Sequence, residues 1–268
     1  MSRPPKDSSK PSQAAWKAQI ELLLSSHLRK FYVSKEGVNR ILDTGTKGQL
    51  KWLEETLSEE LYHRQDVSKA RLVKQAGFPI PKDIRDYDFT HVRFPKLLPR
   101  EDLLSLRFIP EKKTLVFFGA CGTGKTMLAT CLGIDACMQG YKVKFTTVSQ
   151  MVLRLVEAKQ EDRLERYLND LKKLDCLILD EWGYVPIDLE GSRMLFQVIA
   201  DSYEHKSLII TTNLPFKDWG QVVTDEQLAA AIIDRVVHYG HLIDTGTKDW
   251  RLEHSLMKDQ VTEVRRTN

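Results

Sequence analysis

TLVFFGACGTGKTM, residues 114–127, is the stretch whose reading decides the fold. Thr114 to Phe118 form an apolar run that reads as a buried strand. A glycine-rich turn follows, Gly119-Ala120-Cys121-Gly122-Thr123-Gly124, and Lys125-Thr126-Met127 opens a helical stretch. Strand, glycine loop and helix in that order are the setting a phosphate-binding loop requires. Glycines let main-chain N–H groups curl round phosphate oxygens where side chains would block the approach. The N-terminus of the following helix adds a favourable dipole for an anion. Lys125 supplies a point charge for the β- and γ-phosphate oxygens, and the Thr126 hydroxyl is suited to Mg²⁺. The loop therefore predicts ATP and Mg²⁺ as ligands, with residues 119–127 lying around the nucleotide.

Outward from the loop, the back half of the chain alternates. Strands are expected at 114–118, 141–148, 176–181, 207–213 and 241–245. Helices are expected at 126–140, 151–174, 191–206 and 224–240. Nearly all-apolar strands separated by helices indicate a parallel α/β sheet covered on both faces. In such sheets, ligands bind at the carboxyl ends of the strands. The strand CLILDE ends in Asp180 and Glu181, 55 and 56 residues after Lys125. Asp180 is placed to hold Mg²⁺ and Glu181 to polarise an attacking water as general base. The strand SLIITTN ends in Asn213, a polar residue suited to orienting that water. Arg235 lies in the helix AAAIIDRVVHYG. It reads either as a group that neutralises charge on a transferred phosphoryl or as a surface arginine linked to Asp234. Arg251, in KDWRLE, is likewise a nucleotide sensor or a surface charge.

The front half reads differently. Residues 14–75 carry apolar residues at three- and four-residue spacing, including Leu50, Leu53, Leu57 and Leu61, and Gly77 is a helix stop. They predict a small helical domain over 14–77, either a bundle or a partner-binding arm. The first 13 residues read as a disordered tail without the apolar segment of a secretory signal. Pro79, Pro81, Pro95 and Pro99 mark a connector that joins a second domain, 78–268. The net charge of +3 is uneven: residues 1–113 hold 22 Lys+Arg against 15 Asp+Glu, and the rest 18 against 22. A basic front half suggests an anionic partner such as nucleic acid. No apolar run reaches the length of a membrane span. The four cysteines show no metal-ligand spacing and read as reduced thiols of a cytoplasmic protein.

The stretch from Asp180 to Asn213 and the following LPFKDWGQVVTDEQLAAAIIDRVVHYGHLI resemble the IstB-type helper ATPases of bacterial insertion sequences. These are relatives of the DnaC/DnaI helicase loaders in the AAA+ superfamily. The markers are GACGTGKT, LDEWGY, the TTN strand end and the IIDRVVHYG helix, over roughly residues 75–255. The resemblance implies an AAA+ P-loop fold after a small helical domain, with no helical lid at the C-terminus. Lys125 and Thr126 match the Walker A positions, Asp180 and Glu181 match Walker B, and Asn213 matches sensor 1. Arg235 matches the arginine finger that acts on ATP held by an adjacent subunit. Arg251 matches the second sensor arginine, although the usual Ser-Tyr-Arg reads Asp249-Trp250-Arg251 here. Met127 stands where the family often has His.

The family implies an ATP-hydrolysing homo-oligomer on double-stranded DNA, gripped through backbone phosphates, with the transposase of the same element as client and disassembly on hydrolysis. The charged helix expected at 151–174 offers Arg154, Lys159, Arg163 and Arg166 as DNA contacts. Interleaved Glu157, Glu161, Asp162 and Glu165 also fit a solvated helix. A helicase loader is the alternative within the same clade. It often carries a further arginine four residues before the finger, where this chain has Ala231. A small-molecule kinase would need an arginine-rich lid, and none is visible. An ATP-gated scaffold without hydrolysis sits poorly with the Glu181 base.

Overall fold

The computed structural model describes residues 33–80 and 83–250, together with 18, 20 and 21. The expected tail at 1–13, Arg251 and the segment after it lie outside the described residues. The chain divides into two compact units, residues 1–68 and 69–268.

In the first unit, α1 spans Lys35–Thr44 and α2 begins at Lys47; α2 ends at Ala76, within the second unit. Ser34 caps α1, its hydroxyl accepting from the Gly37 N–H at 3.1 Å. Thr46 and Gln49 cap α2 reciprocally: Gln49 Oε1 accepts from the Thr46 N–H, and Thr46 Oγ1 from the Gln49 N–H. Ile20, Val38, Leu42 and Leu50 are buried together, with Leu53 and Leu57 packed against them. Gly77 follows α2 at φ 79°, a left-handed residue that ends the helix.

The second unit is built on a five-stranded sheet in the order β2-β3-β4-β1-β5. The strands are β1 Thr114–Phe118, β2 Val143–Thr147, β3 Cys176–Trp182, β4 Ser207–Thr212 and β5 Gly240–Asp244, and every pairing is parallel. Side chains alternate between the two faces with the strand period. Val116, Leu177, Leu179, Leu208 and Ile210 enter one core with residues of α5 (Val148–Gln160), α6 (Leu164–Lys172), α7 (Leu189–Ala200) and α8 (Glu226–His238). Leu115, Phe117, Ile178, Ile209 and Ile243 enter the other. There they meet Leu128, Ala129 and Leu132 of α4, Lys125–Met138, and connector residues such as Leu98 and Leu103, the latter on the short α3, Arg100–Leu104. Each fully buried aliphatic or aromatic chain contributes about 1.5–3 kcal/mol, so both faces drive the sheet's formation. The connector joins the edge strand: Arg93 and Asp244 exchange backbone hydrogen bonds of 2.7 and 3.1 Å.

The structure corrects several elements: the helix expected at 191–206 is Leu189–Ala200, and the charged helix divides. The single helix expected at 151–174 is two helices, α5 and α6, separated by Glu161–Arg163 with Asp162 at φ 52°. KQEDR supplies no apolar side chain between Ala158 and Leu164. The chain can therefore break there and re-aim Leu168 and Leu171 into the core. Strand β3 also continues one residue beyond the expected end, to the buried Trp182.

Candidate nucleotide-binding site

The site forms where β1, β3 and β4 end. Because β4 lies between β1 and β3, the three strand ends stand in one row. Beyond β1, the loop 119–124 curls under the first turn of α4. Gly122 and Gly124 have φ of 81° and 87°, left-handed conformations that side chains resist. A Cβ at Gly124 would stand 2.8 Å from Tyr87 Cε2. Gly124 is the N-cap of α4 and offers no capping side chain, so the first-turn N–H groups are not satisfied by a cap side chain. That is the feature which makes a helix N-terminus attractive to phosphate.

Several contacts hold the loop in shape. The Ala120 N–H donates to Gly246 O at 3.0 Å, and the Gly119 N–H to Thr212 O at 3.3 Å. Thr123 Oγ1 donates to Ala120 O at 2.9 Å and lies 2.7 Å from Thr245 Oγ1. After β5 the chain returns to the loop, where the Trp250 N–H donates to Gly122 O at 3.1 Å. Lys125 is buried, and its ammonium donates to Gly119 O and Ala120 O at 2.8 and 2.6 Å. The ammonium thus sits inside the curl of the loop.

Across from the loop, the Thr126 hydroxyl donates to both oxygens of Asp180, at 3.0 and 3.1 Å. Asp180 is only 4% exposed, and Glu181 beside it is exposed. A bulge in β3 separates their surroundings: Leu179 pairs with Ile210 and Trp182 with Thr212. Asp180 and Glu181 therefore stand opposite the single residue Thr211. Glu181 takes φ 63°, a left-handed backbone that costs a non-glycine residue free energy. Thr211 Oγ1 donates to Asp180 Oδ1 at 2.5 Å and accepts from the Glu181 N–H at 3.0 Å. The donors at this point, a buried carboxylate, a threonine hydroxyl and a second carboxylate, are all oxygen. This is the set a hard cation such as Mg²⁺ takes.

Asn213, one residue past β4, directs its amide toward Cys121 Sγ at 3.9 Å, and Cys121 Sγ lies 3.4 Å from the Tyr184 hydroxyl. A cavity of about 550 Å³ opens between the loop and the acidic end of β3, and Asn213, Gly119, Ala120 and Cys121 are not on its wall. Residues 122–127, Asp180, Glu181, Tyr184, Thr211 and Thr245 line it, and the connector adds Tyr87 and His91. That volume falls within the range of small-molecule and cofactor pockets.

Other predicted residues lie elsewhere. Arg235 is not on the cavity wall: its guanidinium donates to Ala231 O at 3.0 Å and sits 4.7 Å over the Phe196 ring. Arg154, Lys159, Arg163 and Arg166 are exposed, and the helix break distributes them over α5, the junction and α6. Lys159 is ion-paired with Glu190, and Arg163 with Glu161. Sequence reading missed Tyr87, Thr211, Tyr184 and Thr245. A hydroxyl within the apolar run SLIIT was the one signal that pointed to Thr211.

A parallel sheet in this order, with a glycine loop after β1 and an acidic end on β3, defines a P-loop protein of the AAA+ type. The model of the family described as IstB-like ATP binding protein matches residues 34–258. The chain is 36% identical to the insertion sequence IS5376 ATP-binding protein of Geobacillus stearothermophilus, over 76% of this chain and 81% of the relative. It is 34% identical to the insertion sequence IS21 ATP-binding protein of Pseudomonas aeruginosa, over 88% of this chain and 89% of the relative. Among solved structures, a crystal structure of DnaI shares the fold with a TM-score of 0.50 and 18% identity, over 68% of this chain and 93% of that one. The chain belongs to the IstB-like ATP binding protein family.

Proposed function

We propose that this protein is an ATP-hydrolysing helper of transposition, which assembles on double-stranded DNA and engages the transposase of its own element. One observation carries the reading: Lys125 and Thr126 after β1 and Asp180 and Glu181 on β3 line one cavity, and Asn213 follows β4, the strand between them. Residues 119–127 hold the triphosphate, with Lys125 on the β- and γ-oxygens. Thr126 and Asp180 would hold Mg²⁺, which withdraws charge from the phosphate oxygens. Glu181 accepts a proton from the water that attacks the γ-phosphorus, and Asn213 orients that water. ADP leaves as the bond between the γ-phosphorus and the bridging oxygen breaks.

Arg235 lies off the wall of its own cavity, which fits a role on the ATP of a neighbouring subunit. Arg251 completes the nucleotide contacts. The exposed Arg154, Lys159, Arg163 and Arg166 contact DNA phosphates. The ion pairs of Lys159 and Arg163 must open for this, which rim pairs on a surface do at little cost. The insertion-sequence names of the relatives support transposition over helicase loading.

Gel-shift binding of a DNA duplex and ATP turnover test the proposal together. The wild-type protein shifts DNA when ATP and Mg²⁺ are present and releases it as ATP is consumed. Glu181→Gln holds the DNA complex longer, and Arg235→Ala binds nucleotide but loses turnover. ATP-independent DNA binding, or loss of nucleotide affinity in a monomeric Arg235→Ala protein, contradicts the proposal.

A further inference from the structure

We infer that Thr211 is a positioning residue that sets the protein's demand for Mg²⁺, by holding Asp180 and Glu181 through a single hydroxyl. The inference rests on the ATP–Mg²⁺ reading of the site. Thr211 is 1% exposed on β4, two residues before Asn213. Its Oγ1 donates to Asp180 Oδ1 at 2.5 Å and accepts from the Glu181 N–H at 3.0 Å. The proton and a lone pair of one hydroxyl are therefore both committed to the acidic pair.

The two bonds act on different things. The first fixes the carboxylate rotation of Asp180, both of whose oxygens also accept from the Thr126 hydroxyl, at 3.0 and 3.1 Å. Held by two hydroxyls, Asp180 presents its remaining lone pairs in one direction, and a metal ligand pre-set in this way binds without further ordering. The second bond satisfies the N–H of a residue at φ 63°, a conformation that needs support from its surroundings. It also lies at the bulge, where the regular ladder provides Glu181 with no partner of its own. Thr212 braces the next step in the same way, its hydroxyl donating to Trp182 O at 2.9 Å. Strand β4 thus leads directly into Asn213 and, through Thr211, sets the geometry of both acidic residues on β3.

The experiment compares Thr211→Val, Thr211→Ser and Thr211→Ala with wild type. The signal is fluorescence of an N-methylanthraniloyl ATP, titrated in EDTA and then against Mg²⁺. Valine keeps the volume and loses the hydroxyl; serine keeps the hydroxyl and loses the methyl. Thr211→Val is expected to raise the Mg²⁺ concentration for half-maximal response roughly 10-fold or more, the usual effect of removing a partner of a metal ligand. Its affinity for nucleotide in EDTA stays within about twofold, and Thr211→Ser retains the wild-type Mg²⁺ response. If Thr211→Val does not fold, the pair Ser and Ala isolates the same hydroxyl, and Ala is expected to show the shift. Equal Mg²⁺ responses in Val (or Ala) and wild type overturn the inference, as does a shift in Ser as large as in Val or Ala. Those results leave the ATP–Mg²⁺ reading standing. A wild-type protein with no Mg²⁺-dependent response overturns that reading itself, and the inference with it.

Discussion

Gly124→Ala probes the loop in the way the structure makes most quantitative. Gly124 has φ 87°, and a Cβ there would lie 2.8 Å from Tyr87 Cε2 and 3.4 Å from the Tyr87 hydroxyl. Two costs follow. A left-handed alanine costs about 1–2 kcal/mol. Pushing aside a well-packed side chain costs about 1–3 kcal/mol. Tyr87 cannot yield freely, because it is 8% exposed and its ring packs edge-on against Phe89 at 4.7 Å. The sum is roughly 2–5 kcal/mol, which in a unit of this size lowers Tm by roughly 5–15 °C. The assay is thermal unfolding followed by circular dichroism, with ATP affinity measured below the transition. Affinity falls too, because the displaced loop no longer aims its N–H groups at one point. An unchanged Tm together with unchanged ATP affinity would refute the claim that Gly124 is required by its backbone angle and by Tyr87.

Two further outcomes can be checked in the same preparation. Cys121 is exposed, 3.4 Å from the hydroxyl of the cavity-lining Tyr184, while Cys131, Cys137 and Cys176 are buried, and burial pushes the Cys137 thiol up to about 11 and the Cys176 thiol further. N-ethylmaleimide should therefore modify Cys121 first, and ATP with Mg²⁺ should slow that reaction; mass spectrometry showing no protection would count against Cys121 lying beside bound nucleotide. Burial also pushes the Lys206 ammonium down, from 10.5 to about 8. The unfolded chain then binds more protons between those values, so stability rises as pH rises through this window and the full penalty applies below it. Urea midpoints at pH about 7.5 and about 9.5 should show that rise, and Lys206→Met should flatten it.

Much of this was legible in the sequence, for identifiable reasons. TLVFF, CLILD and SLIITT are buried on both sides, so their apolar runs have no polar interruption to confuse the period. The glycine loop is readable because phosphate approach restricts residue type at fixed spacing. The break between α5 and α6 was not legible, since KQEDR is as good a helical surface as it is a turn. Tyr87 was hidden because its role depends on a connector folding back on Gly124, a distant contact without a local pattern. Thr211 was hidden because its role comes from a two-against-one bulge in β3, and register is not written in either strand alone. The place of Arg235 over the Phe196 ring was hidden because it comes from the packing of α8 on α7, a distant contact without a local pattern.

In the proposed function, Lys125, seated within the 119–124 loop, makes this cavity a site for ATP with Mg²⁺. Calorimetric titration of ATP with Mg²⁺ into the wild-type protein and into Lys125→Ala tests it most directly. The account predicts one saturable site in the wild type and at least about tenfold weaker binding in Lys125→Ala, since hydrogen bonds to a charged group are worth about 1.5–3 kcal/mol. Equal affinity in the two proteins, both folded by circular dichroism, would contradict it.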